Sequence, residues 1–213
     1  MSESFKRKTD FCWHCHTGIY SYPIKLAIKL NIPLIIWGEP LAEMSAYYKY
    51  DEIEEEDEEK FNKVRNLGIS STDMKGMLLA AGHKFDERDL LPYEFPDYSE
   101  YKKNKIRSIN LGNYIKWDYN KNVKLIKKEL GWQSDELEGV PDIANPFSSK
   151  IECYMQGTRD YIKYLKRGYS RISQNMASEL RNKNITIKKA KKLIKDEGKI
   201  PPSLDIFLKF TNL

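Results

Sequence analysis

The sequence predicts a layered α/β region followed by an all-helical C-terminal region, and three observations carry this. A helical pattern over Ile19–Leu30 runs directly into a continuously apolar segment, Ile32–Trp37. A second segment, Ile106–Gly112, alternates in places and has the look of another strand. From Lys150 onward only helical patterns occur.

The first helix and strand set the layer. Apolar residues at 19, 26, 27 and 30 fit one helix face, while Pro23 restricts where the first turn can lie. Asn31 is a stop signal because asparagine tolerates the left-handed conformation. The run Ile32-Pro-Leu-Ile-Ile-Trp37 has the composition of a strand covered on both faces in a parallel sheet, and Gly38-Glu39-Pro40 ends it. Helix followed by buried strand is half of an α/β layer arrangement.

The remaining elements follow in order. An acidic helical segment spans Asp51–Asn66, and a shorter helix runs from about Ser71 to Ala81 with Gly82 as its cap. The stretch Asp86–Tyr101, rich in proline, tyrosine and acids, reads as mostly loop. Asp118–Leu130 is an amphipathic helix closed by Gly131, and residues 133–149 form a polar connection. Helices are expected over 150–167, 173–182, 186–197 with Thr186 as N-cap, and 203–211 after Pro201-Pro202. The composition shifts near residue 145, which divides the chain into 1–145 and 146–213.

Composition narrows the function classes. No apolar run approaches the roughly 18 residues of a membrane span, and no apolar stretch follows the basic start at Met1–Lys8, so cytosol is the expected compartment. The net charge of +5 conceals a polarity: Asp51–Glu59 holds eight acids in nine positions, whereas 159–199 holds 13 Lys or Arg against four acids. Such a basic region suits nucleic acid, a phosphorylated small molecule or an acidic partner. The eleven glycines are never closer than six residues apart, so neither G-x-G-x-x-G nor a Walker loop is present.

Three groups of residues could carry chemistry. Cys12 and Cys15 stand three apart at a helix start, with His14 and His16 interleaved and Cys153 far downstream. They read either as packed thiols or as ligands to zinc or an iron–sulfur cluster. Glu39 and Glu43 follow the apolar strand, where open α/β sheets hold ligands, although on their own they read first as loop solvation. Arg159, Lys163, Lys166, Arg167 and Ser170 fall on one helical face, which either clamps a diphosphate or is a solvated surface.

Taken together, these stretches resemble a known family. Cys12-Trp-His-Cys-His-Thr-Gly18, Ile32-Pro-Leu-Ile-Ile-Trp-Gly-Glu39 with Ala42-Glu43, and Glu138-Gly-Val-Pro141 resemble the N-acetyl sugar amidotransferases. So do Ile151-Glu-Cys-Tyr-Met-Gln-Gly157, Arg159-Asp-Tyr-Ile-Lys-Tyr-Leu-Lys-Arg-Gly-Tyr169 and Pro202-Ser-Leu-Asp-Ile-Phe207. The resemblance spans nearly all of the chain.

It implies an N-type ATP pyrophosphatase of surface-glycan biosynthesis, acting in lipopolysaccharide O-antigen, pseudaminic acid or legionaminic acid pathways. Such enzymes use ATP to convert an acetamido group of a sugar or sugar nucleotide into an acetamidino group. Ammonia comes from a glutaminase through a partner resembling the histidine-biosynthesis synthase pair. The implied fold is the C-terminal half of a doubly wound parallel sheet of the adenine-nucleotide α-hydrolase type, followed by a helical C-terminal region. By the same resemblance Glu39 and Glu43 line the nucleotide or amide pocket, and Arg159, Lys163, Arg167 and Arg171 contact the anionic sugar. Cys12, Cys15 and Cys153 match, in order, the cysteine layout of related thiolation enzymes. The family's Ser-Gly-Gly-x-Asp-Ser loop is missing from this sequence. The chain is therefore expected to be inactive alone and to need a separate loop-bearing N-terminal half. A non-catalytic scaffold, or a tRNA-modifying or other nucleic-acid-binding protein, is the alternative expectation.

Overall fold

The computed structural model describes residues 1–38, 60, 66–133 and 153–213. The chain forms two compact units, Met1–Lys116 and Trp117–Leu213. The composition shift near residue 145, the acidic run Asp51–Glu59 and all but the first residue of the expected connection over 133–149 lie outside the described residues.

The first unit is mixed α/β. Helix α1 (Ser2–Lys8) ends at Thr9 in the left-handed conformation, φ 51°. Helix α2 runs Trp13–Leu30, so it begins six residues before the expected start and carries Pro23 in its interior. Proline there leaves the Ile19 carbonyl without its helical donor, a local cost of about 3 kcal/mol. Packing at both ends offsets it. Trp13 donates its indole N–H to the Ile69 carbonyl at 2.8 Å, fixing the first turn. Ile24 and Ala27 pack with Tyr101 and Ile106, fixing the last turns. Asn31 stops the helix in the left-handed region, φ 53°, as its side chain predicts.

Strand β1 (Leu34–Trp37) pairs in parallel with β2 (Arg107–Asn110), in the register Leu34↔Arg107, Ile35↔Ser108, Ile36↔Ile109 and Trp37↔Asn110. Among the described residues this two-stranded pair is the sheet. The expected burial of β1 on both faces is not seen: Ile35 packs against the α2 cluster, whereas Ile36 is 56% exposed. An apolar run shows that a strand tolerates cover on two sides, not that both covers are present.

Two short helical elements occupy the stretch read as loop, a 3-10 helix at Glu87–Tyr93 and helix α4 at Tyr98–Lys103. Each starts on an aspartate that accepts a backbone N–H, Asp86 from Arg88 at 2.9 Å and Asp97 from Ser99 at 2.7 Å. Upstream of them, α3 (Ser71–Ala80) opens with a capping box. Ser70 Oγ accepts from Asp73 N at 3.0 Å, and Asp73 Oδ2 accepts from Ser70 N at 2.8 Å. A second core, Trp13, Ile69, Met74 and Leu90, joins α2, α3 and the 3-10 turn.

The second unit is helical in its described residues. Helix α5 (Tyr119–Leu130) is closed by Gly131 at φ 64°, as the sequence predicts, while Asp118, expected as its first residue, is its N-cap and accepts from the Lys121 backbone N–H. Helix α6 covers Gln156–Arg167, shorter than the expected 150–167 by residues that lie outside the described ones or precede the helix. Helix α7 is Arg171–Arg181, and α8 is Ile187–Leu193 with Thr186 as its cap. The expected continuation of α8 to 197 tightens into a 3-10 turn, Ile194–Asp196. Helix α9, Ser203–Thr211, has the expected bounds. Ile172, Met176, Ala190 and Leu193 form the core between α7 and α8.

Candidate functional site

The carboxyl edge of the β1–β2 pair is the first candidate. Helix α2 runs back against the strands, so its N-terminal turns approach the strand ends. Ile24 and Ala27 share a cluster with Ile106 and Ile35, and one turn earlier Tyr20 meets the Trp37 ring edge-on at 4.9 Å. His16 lies 5.8 Å from the Tyr20 ring. The helix thus carries Cys12, its N-cap residue, and Cys15, in its first turn, toward this edge. Across the pair, Trp37 Nε1 donates to Ser108 Oγ at 2.7 Å. Asn110 ends β2 with no exposed surface.

None of the three cysteines is in a disulfide; Cys12 is buried, Cys15 exposed and Cys153 half-buried. The two thiols of one helical turn offer two of the ligands a tetrahedral metal or a cluster needs. Among the described residues no group of three or more His, Cys, Asp or Glu side chains gathers at one point. Burial holds the His14 imidazole below its ordinary pKa, so it is a neutral nitrogen near neutral pH. Glu39 and Glu43 lie outside the described residues.

The second candidate belongs to the helical unit. Helix α6 brings Arg159, Lys163 and Arg167 to one side, and Arg171 opens α7. Burial pushes the Lys163 ammonium down to about 8; Asp160 opposes the shift, and the charges of Arg167, Arg171 and Arg159 add to it. The four cations expected to act together therefore stand close enough to feel one another. Lys163 Nζ donates to Gln174 Oε1 and lies 5.5 Å from the Tyr169 ring. Asp160 is buried, accepts from Gln156 Nε2 at 3.0 Å and lies 3.7 Å from Arg171 Nε. One carboxylate beside four cations leaves a positive field suited to an anion.

Sequence reasoning missed Thr17, Tyr20, Trp37, Ser108 and Asn110 at the strand edge. The spacing Thr17, Tyr20, Ile24, Ala27 is helical and is a usable signal once α2 is extended to residues before Ile19. Nothing in the sequence distinguishes Asn110 from a surface asparagine.

No family model matches the chain, and no curated protein matches it. The fold defines a mixed α/β unit with a parallel strand pair, joined in sequence to a helical unit. Among the described residues no helix is long and apolar enough to cross a membrane.

Proposed function

We propose that the chain is part of an ATP-dependent amidotransferase that converts the acetamido group of a sugar or sugar nucleotide into an acetamidino group in surface-glycan biosynthesis. One observation supports the reading most: the segment Cys12–Gly18 opens α2, α2 leads into β1, and β1 pairs in parallel with β2. Residues after Trp37 then leave from the carboxyl edge of a parallel pair, where α/β enzymes hold their ligands. In this reading the pair is a portion of a doubly wound sheet, and Glu39 and Glu43 enter the nucleotide or amide pocket from that edge.

The chemistry has two steps. The amide oxygen attacks the α-phosphorus of ATP, an O–P bond forms and pyrophosphate leaves. Ammonia then adds to the activated carbon, AMP departs with the oxygen, and loss of a proton leaves the amidine. An amide oxygen leaves poorly by itself, so adenylation makes the second step possible. Arg159, Lys163, Arg167 and Arg171 hold the anionic sugar through charge-assisted hydrogen bonds. Ammonia is supplied by a glutaminase and a synthase-like channelling subunit. In this reading the Ser-Gly-Gly-x-Asp-Ser loop is supplied by residues other than these 213. Cys12, Cys15 and Cys153 are the ligands proposed for zinc or an iron–sulfur cluster, and metal analysis after anaerobic purification tests that part separately.

The test of the function is release of AMP and pyrophosphate from ATP with a UDP-N-acetyl sugar and the glutaminase–synthase pair, with and without a loop-bearing half. Release only when the half is present is expected. Release by the chain without it refutes the missing-loop argument. Sugar-nucleotide binding with no release under either condition supports a scaffold instead.

A further inference from the structure

Thr17 and Asn110 are both fully buried, yet the Thr17 hydroxyl and both amide atoms of Asn110 have no hydrogen-bond partner among the described residues. Other buried hydroxyls are satisfied. Ser4 Oγ donates to the Met1 carbonyl at 2.9 Å, Ser21 Oγ donates to the Pro92 carbonyl at 2.6 Å, and Thr158 and Ser203 share a bond of 2.7 Å. The sharpest contrast is Thr211, whose Oγ donates to the Phe207 carbonyl one turn back at 2.7 Å. A helix interior offers that bond to any threonine. Thr17 sits within α2 and does not take it.

Both side chains face the same region. Partners in a parallel pair project to one face, so Asn110 shares its face with Trp37, its register partner. Tyr20 packs on Trp37, and Thr17 lies one turn before Tyr20 on the same side of α2, about 4.5 Å further along the axis toward the strand ends. Two orphaned polar groups from two different elements thus lie on the Trp37 side of the strand pair, toward its carboxyl edge. Each costs the unliganded fold, because a buried group has surrendered water and received nothing in return.

We propose that Thr17 and Asn110 form a ligand subsite that reads a hydrogen-bond donor and acceptor lying side by side on a neutral planar group. A primary amide presents N–H beside C=O, which matches the edge of an adenine ring or another primary carboxamide. The Thr17 hydroxyl, donor and acceptor at once, supplies a third bond. The subsite stands on these two residues and does not depend on ATP being cleaved.

The test uses the full chain, isotopically labelled, with the Asn110 side-chain amide followed by NMR during titration with adenosine and, separately, with acetamide. A shift with adenosine assigns a base edge, and a shift with acetamide alone assigns a carboxamide. Thr17→Val and Asn110→Leu are each expected to weaken that binding at least about tenfold while raising the unliganded Tm by about 2–4 °C. A purely structural role would lower Tm instead. The proposal is overturned if neither probe moves the Asn110 signals, or if either variant lowers Tm. Failure of the pyrophosphatase assay leaves it untouched.

Discussion

Glu197 and Ser173 meet at the start of α7 through two hydrogen bonds: Ser173 Oγ donates to Glu197 Oε2 at 2.6 Å, and the Ser173 backbone N–H donates to Oε1 at 3.1 Å. Ser170 Oγ adds a third at 2.5 Å. A carboxylate from beyond α8 therefore occupies the positive end of α7, where unpaired N–H groups favour an anion. Burial alone would raise the Glu197 pKa, but the side-chain and backbone donors of Ser170 and Ser173 hold it below the ordinary glutamate range.

Replacing this carboxylate with Glu197→Gln is expected to cost roughly 1–3 kcal/mol, because charge-assisted bonds become neutral ones. The folded pKa lies below the unfolded one, so the stabilisation is complete above the unfolded pKa. It disappears as pH falls through the folded value. The Tm difference between wild type and variant should therefore shrink on acidification. A difference that stays constant from neutral to acidic pH would contradict this role.

Gly198 follows at φ 88°, and a Cβ there would lie 2.3 Å from Tyr164 Cε1. Gly198→Ala is expected to destabilise by more than about 1 kcal/mol, from backbone strain and ring displacement together. Gly76, inside α3 with nothing within 4 Å of its Cβ position, is the matched control. Gly76→Ala should stabilise by about 0.5–1 kcal/mol. Denaturant melts of both variants check the contrast.

Lys163 gives a pH prediction of the same sign as Glu197, but in the alkaline range and from burial of a cation instead of hydrogen bonding to an anion. Its ammonium is pushed down to about 8 in the folded chain, so between there and the ordinary lysine pKa the unfolded state binds more protons. Stability should rise with pH across that window, and Lys163→Met should abolish the rise. If the amidotransferase reading holds, binding of the anionic sugar nucleotide weakens over the same window as the cation is lost. Titration calorimetry at neutral and alkaline pH reads this directly.

The reciprocal cap of α3 predicts a local effect. Ser70→Ala removes the acceptor for Asp73 N and the hydroxyl donor to Asp73 Oδ2. A loss of about 1 kcal/mol is expected. Hydrogen exchange should quicken in the first turn of α3 while the α7–α8 core is unaffected.

Local chemistry was legible wherever a residue acts on its own neighbours. Asn31, Gly131 and Thr186 mark helix ends in the sequence and do so in the structure, because caps depend on backbone groups a few residues away. The basic cluster was legible for the same reason: Arg159, Lys163 and Arg167 repeat every fourth residue, and a helix places such positions side by side.

Long-range contacts decided the rest. By sequence alone the helical pattern begins at Ile19, with Pro23 restricting its first turn, and only the Trp13–Ile69 bond, 56 residues apart, shows why the helix begins earlier. The apolar composition of β1 was fixed by sequence, but its parallel register with β2 and its uncovered face depend on partners more than 70 positions away. Asn110 and Thr17 look ordinary in the chain. Their unsatisfied burial arises only when a helix and a strand distant in sequence close over them, since desolvation is a property of the packed environment and not of the residue.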